Sequence, residues 1–129
     1  MLGSIQIVLT MKNSDLFIEL VATYRKHGWE LRRALMQSTT LAELESQEKD
    51  LLSNVPVKES AVDALWFSRP SHNNREAWEL RLLAQTQYAL FETFEADETE
   101  EDREDVKLEM EARLREYVNK PQMNAEERR

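Results

Sequence analysis

Residues 61–96 read AVDALWFSRP SHNNREAWEL RLLAQTQYAL FETFEA, and whether this stretch is extended or helical decides the fold. Residues 61–68 are rich in side chains that suit a pleated, half-buried surface, and Pro70 follows them. The segment from Pro70 to Arg75 is turn material, because Asn73 and Asn74 tolerate the left-handed backbone that tight turns require. Beyond it Trp78, Leu80, Leu82 and Ala84 alternate with Glu79, Arg81, Leu83 and Gln85, the period of a half-buried strand. These two segments make a β-hairpin. Tyr88, Leu90 and Phe94 add a third strand, with Glu92 the exception on that face. The link from Gln85 to Gln87 carries no Gly, Asn or Pro, and residues 76–96 also have good helix propensity. A helical hairpin here, and with it a mainly α fold, is the alternative.

Upstream, Asn13, Ser14 and Asp15 are all short polar residues able to accept an unpaired N–H of a first helical turn. Leu16, Leu20, Val21 and Tyr24 then recur at three- and four-residue steps, which marks one buried helical face. Arg25, Lys26 and His27 suit the negative end of a helix dipole, and Gly28 suits its C-terminal cap. The reading is a helix over 14–27 and a strand from Trp29 to Met36. If the helix ran on through Leu31, Ala34 and Leu35, Gly28 would cost about 1 kcal/mol in its interior. Thr40 and Glu43 have the spacing of a capping box, and Leu41, Leu44, Leu51 and Leu52 predict a helix over 41–53. Pro56 ends it.

Downstream, residues 97–105 hold seven acids and one base, Arg103. Asp97 and Thr99 are candidate N-caps, and acids at a helix start match its dipole. Val106, Met110, Leu114, Tyr117 and Val118 form one apolar stripe up to Pro121. Glu109–Arg113, Glu111–Arg115 and Glu116–Lys120 are spaced as ion pairs along this helix. The expected architecture is α+β in two layers: N-terminal helix, strand, short helix, three-stranded antiparallel meander and long C-terminal helix, with the helices on one sheet face. Residues 13–120 form a single domain, preceded by an N-terminal extension, 1–12, and followed by a flexible C-terminal tail, 121–129.

The chain has 129 residues, 41% of them hydrophobic and 33% charged, with a net charge of −8. Such a balance repels phosphate backbones and anionic membrane surfaces, so neither nucleic acid nor membrane is an expected partner. No run approaches the ~18 apolar residues of a membrane span. The first ten residues lack the basic start and cleavage site of a signal peptide. Cysteine is absent, which removes disulfides and thiolate catalysis and fits a cytoplasmic setting.

No nucleophile–base pair, phosphate loop or metal-ligand spacing occurs, so no catalytic residue, cofactor or metal is assigned, and the chain reads as a non-enzyme. Two hypotheses remain. Trp66, Phe67, Trp78, Tyr88, Phe91 and Phe94 crowd the strand region, and a sheet covered on one side hides only one face. The first hypothesis is therefore a protein-interaction module, a homodimer or a binder of a protein client, whose interface uses Trp66, Trp78, Tyr88 and Phe91. The alternative is a small-ligand or anion-binding domain, with or without catalysis, in which Arg69, His72 and Arg75 of the loop 69–75 hold a phosphate or carboxylate.

Overall fold

The computed structural model describes residues 12–47 and 50–119, and in it the stretch 61–96 is extended. Almost all of the N-terminal extension and the whole C-terminal tail lie outside the described residues. Helix α1 spans Asn13–Lys26 and stops where Gly28 takes φ +88°, a backbone that L side chains avoid. The amides of Gly28 and Trp29 then bond back to Arg25 and Tyr24 carbonyls, closing the helix end. Strand β1, Glu30–Met36, follows directly. Helix α2 is Ser38–Gln47, strand β2 is Val57–Glu59, strand β3 is Ala64–Pro70 and strand β4 is Glu76–Leu82. Strand β5, Ala89–Phe94, and helix α3, Glu100–Asn119, are the last of the described elements.

The class is α+β and the element order matches the expectation, with three helices and a five-stranded mixed sheet, in the order β2-β1-β3-β4-β5, among the described residues. Strands β3, β4 and β5 form the antiparallel meander. The three-residue β2, which no periodicity announces, pairs parallel to β1.

The distribution of helices over the faces differs from the expectation. Phe17 of α1 and Leu44 of α2 pack on one face with Trp29, Ala34, Met36, Leu65 and Phe67. On the opposite face Met110 and Leu114 of α3 pack with Leu35, Ala64, Trp66, Leu80 and Leu82. The helices therefore make two outer layers rather than one. The cause lies in β3, where Ala64 to Ser68 are all buried. A strand that is apolar at consecutive positions cannot leave either face in water.

Helix α2 also starts differently from its capping-box reading. Thr40 is buried and donates to Asp63 at 2.6 Å rather than capping the helix. Asp63, 3% exposed, further accepts the Gln37 amide at 2.7 Å and the Asn13 side chain at 2.8 Å. One carboxylate thus joins the start of β3, the start of α2 and the start of α1. Removing it strands three buried or half-buried donors, each costing about 1–3 kcal/mol. Asp63→Ala is expected to lower unfolding stability by about 3 kcal/mol in urea titration. Thr40→Val, which removes one donor and leaves the others paired, should lose less than half as much.

Candidate functional site

The loop residues come first. Arg69 donates to the His27 carbonyl at 3.0 Å, and its guanidinium lies 4.7 Å from the centre of the Trp29 ring. Arg75 grips both Glu95 oxygens, each at 3.0 Å. His72 is exposed at the start of a single 3₁₀ turn, in which Asn73 and Asn74 take left-handed φ of 58° and 62°. The three do not converge. Arg69 and Arg75 line a cleft of about 420 Å³ shared with Glu30, Arg32 and Glu76, whereas His72 lies in a second cleft of about 440 Å³ with Arg69 and Phe91. Both arginines already have partners, and two carboxylates share the first cleft with them.

The aromatic residues are divided by the sheet. Trp66 is fully buried beneath α3 and donates its indole N–H to Glu111 at 2.8 Å. Trp78 is half-buried edge-on to it, with ring centres 5.9 Å apart and the Lys107 ammonium 3.5 Å over its ring. Tyr88 stacks on Tyr117 of α3 at 3.7 Å. Three of the four expected interface residues therefore pack against α3, and Trp66 presents no surface at all. Phe91 alone points to the other face, where it meets Trp29 edge-on at 6.4 Å and stays 59% exposed.

Around Phe91 no described helix covers the sheet. Cross-strand pairing places Ala77, Glu79 and Arg81 of β4 on one face with Thr93, Phe91 and Ala89 of β5. Helix α1 lies over β1 and reaches β4 through Tyr24, whose hydroxyl donates to Glu79 and accepts from Arg81 at 3.3 Å. Beyond Tyr24, Ala89 and Phe91 are exposed. Tyr24 stacks on Phe67 at 4.0 Å, so its phenol is half-buried. That burial, followed by the bond to Glu79, pushes its pKa up to about 12. Tyr24, Trp29, Glu79 and Arg81 escape the sequence reading. The first two read as ordinary helix and strand packing, and the charged pair reads as the solvent side of β4. Their one visible signal is the odd-numbered spacing that sets Glu79 and Arg81 in line with Ala77.

The edge of this open half is β5, and no described strand pairs with its outer side. Leu82 donates to the Tyr88 carbonyl at 2.9 Å, which fixes the ladder alternation. Leu90, Glu92 and Phe94 turn their N–H and C=O groups toward β4, and Ala89, Phe91 and Thr93 turn theirs outward. Among the described residues, no group of three or more His, Cys, Asp or Glu is placed to hold a metal ion. None of the described helices is long and apolar enough to cross a membrane. Comparison with protein-family models, with curated proteins and with solved structures finds no match in any of the three.

The neutral phenol of Tyr24 supplies a pH test of the open face. Its folded pKa lies above the unfolded value of about 10, so its contribution to stability is complete below pH ~10 and lost as pH climbs toward 12. In an ultraviolet titration of the three tyrosines, one phenol should ionise late, and Tyr24→Phe should abolish that late phase. Loss of an early phase instead would show that Tyr24 is neither buried nor bonded to Glu79.

Proposed function

We propose that this chain is a non-enzymatic protein-interaction module that docks a protein partner on the open half of its sheet, at Phe91 and the outer edge of β5. The observation that carries the reading is Phe91 itself, a large apolar side chain 59% exposed at the middle of a six-residue edge strand. Exposed hydrophobic groups are ordinary when scattered. This one rests edge-on against the buried Trp29 ring, and a row of outward N–H and C=O groups borders it. Aromatic anchors beside an open strand edge are what strand-addition interfaces use: main-chain bonds supply affinity and alternate side chains supply specificity.

The anion-binding alternative has less support. The guanidiniums of Arg69 and Arg75 are engaged with the His27 carbonyl and Glu95, and Glu30 and Glu76 share their cleft. An incoming phosphate would displace existing partners and face two carboxylates.

The docking reading is tested by placing the photoreactive residue p-benzoylphenylalanine at Phe91 in the full chain and irradiating living cells. A discrete protein adduct at position 91, absent when the same residue replaces the exposed Glu109 of α3, is the expected result. Equal labelling at the two positions, or none at 91, would overturn the reading.

A further inference from the structure

The two edges of the sheet are built differently. Natural edges avoid stray pairing by being short and by carrying proline or lysine. Strand β2 has all three devices: three residues, Pro56 before it and Lys58 at its centre. Strand β5 has neither proline nor lysine, and its one charged residue is Glu92. It runs for six residues, Ala-Leu-Phe-Glu-Thr-Phe, with an unbroken register to β4 and an exposed phenylalanine in the middle. One edge is guarded, and the other has no strand beside it among the described residues.

Resting on the docking reading above, we infer that the occupant of the β5 edge is a second copy of this chain, paired antiparallel about a twofold axis at Phe91, so that two sheets become one. In this register Phe91 pairs with Phe91 of the second copy, and Ala89 pairs with Thr93 in both directions. All three outward residues of each strand then meet outward residues of the other, so every exposed N–H and C=O of the edge is satisfied. The contact is isologous, as a closed dimer requires.

Charge selects the direction, and charge together with the extent of the edge selects the register. From Leu82 to Phe91 the chain carries no charge, while Glu92, Glu95, Asp97 and Glu98 follow. Antiparallel pairing at Phe91 lays the acidic half of one copy beside the neutral half of the other, with Glu92 opposite Leu90 and Glu95 opposite Gln87. Moving the axis to residue 92 would set Glu92 directly against its own copy, which cross-strand like charges oppose. Moving it to residue 90 leaves Thr93 without a strand partner. Only the axis at 91 pairs the whole edge and opposes no two acids. Each copy still carries a net charge of −8, so salt should tighten the dimer, whereas a basic foreign segment would be released by salt.

The test uses the full chain in sedimentation equilibrium over two decades of concentration. A monomer–dimer equilibrium strengthened by salt is expected. Thr93→Pro removes an outward N–H and no bond to β4, so it should weaken the dimer by at least about tenfold with little change in thermal unfolding. Phe91→Lys should weaken it as well, which guards against misfolding of either variant alone. Because the chain has no cysteine, Ala89→Cys and Thr93→Cys variants can be mixed and mildly oxidised. The 89–93 cross-link should exceed both 89–89 and 93–93. A strict monomer at every concentration, or a dimer untouched by both edge variants, would overturn the inference. A dimer whose 93–93 cross-link dominates would overturn the register. A photo-adduct at position 91 with a different protein, in a chain that stays monomeric, would leave the docking reading standing and remove the second copy.

Discussion

The burial of β3 on both faces is the constraint from which the rest of the molecule follows. Trp66 brings an indole N–H into a fully buried layer, and an unpaired donor there costs about 1–3 kcal/mol. Glu111, 1% exposed on α3, accepts it. That carboxylate is then a buried charge needing cations, and Lys58 at 3.5 Å and Arg33 at 3.7 Å supply them. Arg33 reaches this face only because the β1–β3 register shifts between Leu31 and Arg33. Leu31 pairs with Phe67 toward α1, yet Arg33 pairs with Trp66 toward α3, so Arg32 is the extra residue of a bulge. Without that shift, Arg33 would face α1 and its two hydrogen bonds to Glu104 could not form.

The other face of β3 imposes a parallel requirement. Phe67 lies under the Tyr24 ring, and stacking there carries a phenol O–H into partial burial. Glu79 on the neighbouring strand takes that proton donor, with Arg81 beside it to balance the charge. The polar residues of β4 are thus held in place by an aromatic contact of β3. Helix α1 ends its coverage at Tyr24, and the uncovered strip around Phe91 begins where this polar cluster finishes. The position of the open surface is a consequence of core packing and not an independent addition.

Much of this was legible along the chain, and the remainder was hidden for physical reasons. Gly28 marked the end of α1 and the start of β1, because few residues accept a positive φ at a helix terminus. The alternation from Trp78 to Leu82 marked β4 against its competing helix propensity, and Pro70 and the two asparagines marked the turn before it. Side-chain periodicity, however, reports which face of an element is buried and not which neighbour buries it. The stripe on α3 is visible as Val106, Met110 and Leu114, but Lys107 and Glu111 lie outside it and are nonetheless buried. Their burial depends on Trp78 and on Trp66, Arg33 and Lys58, which arrive from other strands. Helical spacing pairs Glu111 with Arg115, yet its carboxylate turns inward to the Trp66 indole. Asp63 escaped for the same reason, since its three donors are distant in sequence. The clue for β3 was present: its apolar residues are continuous rather than alternating, which already requires cover on both faces.

That cover also decides how the aromatic surplus is to be understood. Ten aromatic residues in a chain of this size suggest an exposed apolar face only if one sheet layer is left bare. With α3 over Trp66, Trp78 and Tyr88, most of the surplus becomes core, and among the described residues Phe91 is the one aromatic side chain of the exposed large hydrophobics. Exposure at one position is weak grounds for an interface; exposure on the unguarded edge of a sheet whose other edge is guarded is stronger. The acids beyond Phe91 fit the same logic. An edge without proline or lysine risks pairing with any extended chain, and the carboxylate of Glu92 opposes antiparallel pairing about its own position. On the docking reading, the acidity of this protein near β5 limits how the edge pairs, and the helix dipole explains only the acids that sit on α3 itself.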